Sequence, residues 1–163
     1  MNIIKKILKI LLIFISIILI FIALSFGHMF FTLMNSGMLF LDGNDLIYEN
    51  WHIRLPKGGN EIYYTTGEPS FHGDGSRLSV YEYDDEEIID SSFDWKDNKN
   101  TNMEDKINDI LKILDGYNNV AKEYIPDLKK SYKYLTKSKD DNSDIYLIYI
   151  TGENKIYVIE YFL

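Results

Sequence analysis

The sequence predicts an α+β domain, a mostly antiparallel sheet packed against one long helix, preceded by an N-terminal transmembrane helix. Three observations carry this. Residues 10–41 hold no charged side chain, with His28 taken as neutral. Residues 101–124 repeat apolar residues at helical spacing. Residues 145–151 and 155–162 are apolar at nearly every position and are joined by Gly152-Glu153-Asn154, a hairpin signature.

The chain has 163 residues, 46% of them hydrophobic and 26% charged. That suffices for one ordinary domain plus a targeting segment, and it argues against wholesale disorder. The charge is split unevenly. Residues 1–41 contain Lys5, Lys6 and Lys9 and no acid, whereas residues 42–163 contain 14 basic and 25 acidic residues, a net charge of −11. Such a domain lacks the basic footprint needed to neutralise phosphates, so nucleic acid is excluded as a partner. The absence of cysteine excludes disulfides, thiolate zinc sites, cysteine nucleophiles and cysteine lipidation.

At about 1.5 Å per residue, the 21 residues Ile7–Gly27 span roughly 31 Å, the thickness of a bilayer's hydrocarbon core. A buried soluble helix would need more polar punctuation. A cleaved signal peptide has small residues at Ala23 and Ser25 to suit cleavage before Phe26. The apolar run is long for that role, and cleavage would expose Met29, Phe30, Phe31, Leu33 and Met34 at a new N-terminus. A retained anchor over residues 7–31 is therefore preferred, with the lipid bilayer as its partner. The lysines place residues 1–6 in the cytoplasm by the positive-inside rule. Residues 32–44 form a juxtamembrane linker ending in the turn signal Asp42-Gly43-Asn44, and residues 45–163 form an extracytoplasmic domain at the cell membrane.

Within that domain Trp51, Ile53 and Leu55 alternate with His52 and Arg54, which is strand spacing. Pro56–Asn60 is a turn, Glu61–Thr66 a second strand and Arg77–Tyr83 a third. A short helix is expected around Glu86–Ser91. Thr101 and Glu104 form a capping box ahead of a helix whose stripe is Met103, Ile107, Ile110, Leu114, Tyr117, Ala121 and Tyr124. Its phase runs through Asp115-Gly116, and Pro126 ends it. The stripe suits packing on a sheet better than a dimer seam. Ser131–Lys137, Ile145–Thr151 and Lys155–Phe162 complete the sheet. The last two have the composition of central strands covered on both faces.

The segment Gly67–Gly75 is longer than a hairpin requires. Within it Phe71-His72-Gly73-Asp74-Gly75 has two readings. As backbone geometry, Gly73 and Gly75 take positive φ, Asp74 bonds local amides and Phe71 anchors the loop. As a site, His72 acts as acid, base or metal ligand, Asp74 orients it or shares a ligand, and His52 lies on the exposed side of a neighbouring strand. Geometry is the preferred reading. Two histidines and one aspartate do not make a zinc set, so no metal is assigned. The acidic run Asp84–Glu87, with Asp90 and Asp94, lacks calcium-loop spacing and reads as a solvated face. Nucleophile-elbow, zincin and phosphate-loop motifs are absent from the sequence, so no cofactor is expected.

Leu55-Pro56-Lys57-Gly58, Tyr63-Tyr64 and Phe71–Gly75 together resemble a pattern in small uncharacterised membrane-anchored proteins of Gram-positive bacteria. The resemblance covers about a quarter of the chain. It implies an exported domain beside a single anchor and brings no activity with it. The leading functional expectation is a binding module with a protein, peptide or envelope partner, for example an immunity or accessory protein, with exposed tyrosines available for contact. The alternatives are an extracytoplasmic enzyme or metal-dependent domain centred on His72 and Asp74, and a subunit of a membrane complex.

Overall fold

The computed structural model describes residues 2–35, 42–67 and 74–163. The chain divides into two units, Met1–Asp42 and Gly43–Leu163. In the first, α1 runs from Asn2 to Asn35. Its segment Lys5–Thr32 is long and apolar enough to cross a membrane. The few hydroxyls along it return to its own backbone. Ser16 donates to the Leu12 carbonyl, Ser25 to that of Phe21 and Thr32 to that of His28, each at 2.8 Å. No water is needed to satisfy them as donors.

The second unit contains α2 (Gly43–Trp51), β1 (Asn60–Thr66), β2 (Gly75–Glu82), α3 (Glu86–Asp90), α4 (Thr101–Asn118), β3 (Tyr132–Ser138), β4 (Asp144–Ile150) and β5 (Lys155–Phe162). The strands form one sheet in the order β1-β2-β5-β4-β3, and every neighbouring pair is antiparallel. The final strand thus inserts between β2 and β4. Gly152, at φ 87°, makes the tight return from β4 to β5, a conformation in which a β-carbon would be strained.

Both faces of the sheet are covered. On one, Met103, Ile107, Ile110, Leu111 and Leu114 of α4 pack on Leu78, Val80, Ile148, Ile150 and Ile159. On the other, Ile47 and Trp51 of α2, Ile53, Leu55 and Ile89 of α3 cover Tyr81, Leu147, Tyr149, Ile156 and Val158. Every residue of β4 is buried, as its composition requires. The outer edge of β3 is met by Lys96, whose backbone exchanges two hydrogen bonds with Tyr134, at 2.9 and 2.8 Å.

The α+β class and the order strands, helix, strands agree with the sequence. Gly43 and Asn44, read as part of a turn, instead open α2, and residues 36–41 of the expected linker lie outside the described residues. Three further local expectations do not hold. The Trp51–Leu55 strand is instead the end of α2 followed by unpaired extended chain. The alternation of buried Trp51, Ile53 and Leu55 with exposed His52 and Arg54 is real, but chain laid along a core alternates without a ladder partner. His52 stops α2. It adopts φ 54°, and its N–H closes on the Tyr48 carbonyl at 2.7 Å. Asn44 then holds the extended stretch, accepting from the Leu55 N–H at 3.0 Å.

The second correction concerns the start of α4. Asn100, not Thr101, is the cap, accepting from the Met103 N–H at 3.1 Å. Glu104 is engaged elsewhere, as acceptor of the Tyr132 hydroxyl at 2.6 Å. The third concerns its end. Asn119 takes a left-handed conformation, φ 49°, and terminates the helix well before Pro126. Met103, Ile107, Ile110 and Leu114 of the predicted stripe are buried, while Tyr117 and Ala121 are exposed. Tyr124 lies in a separate 3-10 turn, Lys122–Tyr124, and stacks on Tyr63 with ring centroids 4.1 Å apart.

These positions predict opposite effects two residues apart. Leu114→Ala removes a fully buried side chain and should lower stability by about 2–5 kcal/mol. Gly116 lies inside α4 with open space around its α-carbon, so Gly116→Ala should raise stability by about 0.5–1 kcal/mol. Both tryptophans, Trp51 and Trp95, belong to the second unit. Denaturant titration of the full chain, followed by tryptophan fluorescence, reads that unit alone. A loss of less than about 1 kcal/mol for Leu114→Ala, the range of surface changes, would contradict the packing described.

Candidate binding groove

Of the loop residues singled out in the sequence, Phe71, His72 and Gly73 lie outside the described residues. Asp74 and Gly75 lie within them. Gly75 opens β2 at φ 153°, a conformation suited to glycine. Asp74 and Gly75 border a hollow of about 280 Å³ together with Ile113, Tyr117, Tyr161 and Leu163. His52 does not border it. It stands exposed beyond α2 with its ring edge-on to Tyr48, centroids 5.9 Å apart, and Arg54 lies over the same tyrosine at 4.1 Å. Asp74 and Gly75 are thus brought together and His52 is not placed with them. Among the described residues, no three histidine or carboxylate side chains converge as a metal set would.

The acidic run has structural employment. Asp85 caps α3 by accepting from the Glu87 N–H at 2.9 Å. Glu86 accepts from the Tyr149 hydroxyl at 3.0 Å, and Asp90 pairs with Lys133.

The more developed hollow is one that sequence reasoning missed. It lies between α4 and one end of the sheet, has a volume of about 330 Å³, and shares Ile113, Tyr161 and Leu163 with the smaller one, so the two form a continuous furrow. Ile110 and Ile113 come from α4, Asn142, Asp144 and Tyr146 from the β3–β4 turn and the start of β4, and Tyr161 and Leu163 from the end of β5. Ile113 is 46% exposed, Tyr117 55% and Leu163 56%. Within the second unit these are among the most exposed large apolar side chains, together with Tyr64 of β1 at 51%; Ile113 and Tyr117 belong to α4 and Leu163 follows β5. The signal in the sequence was Ile113, beside the predicted stripe and four residues before Tyr117, a stripe member that the structure leaves exposed.

Asp144 forms one wall of the groove and is saturated with donors. It accepts from Ser138 Oγ at 2.5 Å, Lys106 Nζ at 3.0 Å and Tyr146 OH at 2.9 Å. Burial opposes its ionisation, but these three donors outweigh that and hold its pKa below the usual carboxylate range. Burial, reinforced by the bond to Asp144, raises the Tyr146 hydroxyl. Asp144 is therefore a fixed ionised support, poorly suited to act as a base. Asp74 and Gly75 stand at the opposite end of the furrow.

A second feature lies on the other face. Glu160 sits in β5, 3% exposed, and accepts from Trp51 Nε1 at 2.6 Å. Arg77 is its cross-strand partner on β2 and Ile145 on β4. Lys139 lies over the Trp51 ring at 4.5 Å, and Lys137 donates to the Trp51 carbonyl at 2.7 Å. Burial raises the Glu160 pKa, against the pull of the indole N–H and of the Arg77 and Lys139 charges. In the sequence this carboxylate was lost inside a strand otherwise read as apolar.

The chain matches no family model, no curated protein and no solved structure.

The raised Glu160 pKa has a definite consequence for stability. The folded state holds the proton more tightly than the unfolded chain. This contribution is present below the unfolded carboxyl pKa, near about 4.3, and is lost as pH rises through the folded value. Glu160→Gln keeps an acceptor for Trp51 and removes the titration. The stability of this variant relative to the native chain should grow with pH above the unfolded carboxyl range and then level off. Denaturant titrations of both proteins across the acid-to-neutral range check it, and a gap that does not change with pH would refute the assignment.

Proposed function

We propose that this protein is a membrane-anchored, extracytoplasmic binding module. Residues 7–31 cross the cell membrane, Lys5, Lys6 and Lys9 keep the N-terminus cytoplasmic, and the domain from residue 45 onward faces outside. Its partner is a protein, a peptide or envelope material, and an immunity or accessory role is the concrete form of the proposal. The observation that carries the reading is the groove beside α4. Half-exposed apolar side chains there line a concavity, and its one buried carboxylate, Asp144, is already fully engaged. That combination suits holding a segment of another molecule better than performing chemistry on it.

The test combines topology with contact. A photo-crosslinking residue is placed at Ile113, or at the exposed control position Ile88 on α3, in the full chain expressed in its host. Protease added to intact protoplasts should digest the domain, and illumination should give a discrete adduct from position 113 and none from 88. Protection of the domain would refute the orientation. Equal labelling from both positions, or none from position 113, would refute the groove as the binding site.

A further inference from the structure

The chemistry around the groove narrows what it takes. Ile110, Ile113, Tyr146, Tyr161 and Leu163 line it beside the polar Lys106, Asp109, Asn142 and Asp144, so it suits apolar side chains flanked by polar ones. Lys106 lines it and Lys112 stands on the adjoining surface of α4; both are paired, Lys106 with Asp144 at 3.0 Å and Lys112 with Asp109 at 2.9 Å. Asp109 also lies on an adjoining furrow of α4 that Asp105 and Asp115 share, with Lys112 as its one cation. The surroundings belong to a region, residues 42–163, that carries a net charge of −11. Two copies of such a surface repel each other, and an anionic segment would be repelled in the same way.

We propose that the groove accepts an extended basic peptide segment, seating apolar side chains between α4 and the end of the sheet while its cationic residues face the carboxylates of α4. This rests on the binding-module reading and adds the chemical class of the partner. Charge supplies steering and discrimination, and the apolar lining residues supply the anchor.

The experiment uses full-length protein in nanodiscs of zwitterionic lipid, which gives a cationic probe no charged membrane surface. Three fluorescent synthetic peptides of equal length are titrated: alternating lysine and leucine, alternating glutamate and leucine, and alternating lysine and serine. The lysine–leucine peptide should bind about tenfold more tightly than either of the others and should weaken as salt is raised. Ile113→Glu should reduce that binding about tenfold, although it adds a negative charge that would strengthen a purely electrostatic contact. Ile113→Asn should do the same without changing the charge, and Ile88→Glu should leave binding unchanged. Unaltered unfolding midpoints by tryptophan fluorescence establish that the variants are folded.

Tight binding of the lysine–leucine peptide that ignores both Ile113 variants would place it elsewhere and overturn the proposal. Preference for the glutamate–leucine peptide, lost in the Ile113 variants, would overturn the basic class and leave the groove standing as a binding site. If none of the three peptides binds in an Ile113-dependent way, the proposal fails, and the crosslinks from position 113 in cells show whether the binding-module reading fails with it.

Discussion

β4 and β5 are buried on both faces, and the rest of the domain is arranged around that constraint. A strand with two covered faces needs two covering layers, here α4 on one side and α2, α3 and the extended chain between α2 and β1 on the other. It also needs polar partners wherever its larger side chains reach the margin of the core. Tyrosine meets that need repeatedly. Its ring fills the core, and its hydroxyl donates to a carboxylate at the boundary: Tyr132 to Glu104, Tyr146 to Asp144, Tyr149 to Glu86 and Tyr157 to Glu153. Burial pushes these hydroxyl pKa values up, Tyr149 to about 12, so they remain donors at neutral pH. The abundance of tyrosine and the excess of acid are thus partly one feature. Some of the acid is not free surface charge, because it anchors the edges of the core.

The parts of this arrangement that could be read from the sequence are those set by local periodicity over many residues. β4, β5 and the buried turns of α4 each satisfy one pattern for seven residues or more, and no competing pattern fits. What could not be read depends on single hydrogen bonds or on distant partners. α2 has nine residues and buries only Ile47 and Trp51, too few for a helical repeat to stand out against the alternation that follows it. Whether α4 ends at Asn119 or Pro126 turned on one residue taking a left-handed conformation, which asparagine tolerates and no spacing announces. The capping box had a rival acceptor one residue earlier, and Glu104 was claimed by a tyrosine far along the chain.

The candidate site was still less accessible. Asp74 and Gly75 drew notice through glycine density, and they border the furrow. The groove itself arises where the β3–β4 turn, the end of β5 and the flank of α4 meet, a juxtaposition made by the insertion of β5 between β2 and β4. Neither Ile113 nor Leu163 carries a motif. Glu160 shows the same limit from the other direction: a carboxylate in a run of apolar residues says nothing of the indole placed over it by α2, 109 positions earlier in the chain.

The two faces of the sheet end up with different physical characters. On the α2 face the polar groups close inward. Trp51 bonds Glu160, Lys137 holds the Trp51 carbonyl, and Lys139 covers the indole ring. These ties fix the end of α2 to β5 through Glu160 and to the end of β3 through Lys137 and Lys139. On the other face α4 packs over β1, β2 and β5. Towards the start of β4, where Tyr146 and Tyr161 rise from the sheet, the layer stays open along one side. Ile113 overhangs that opening with nearly half its surface in water. The core does not need an apolar residue there, since Ile110 and Leu114 already pack against the sheet beneath it. A polar side chain at position 113 would cost the fold little. Under the binding-groove proposal, its apolar character serves contact with a further molecule.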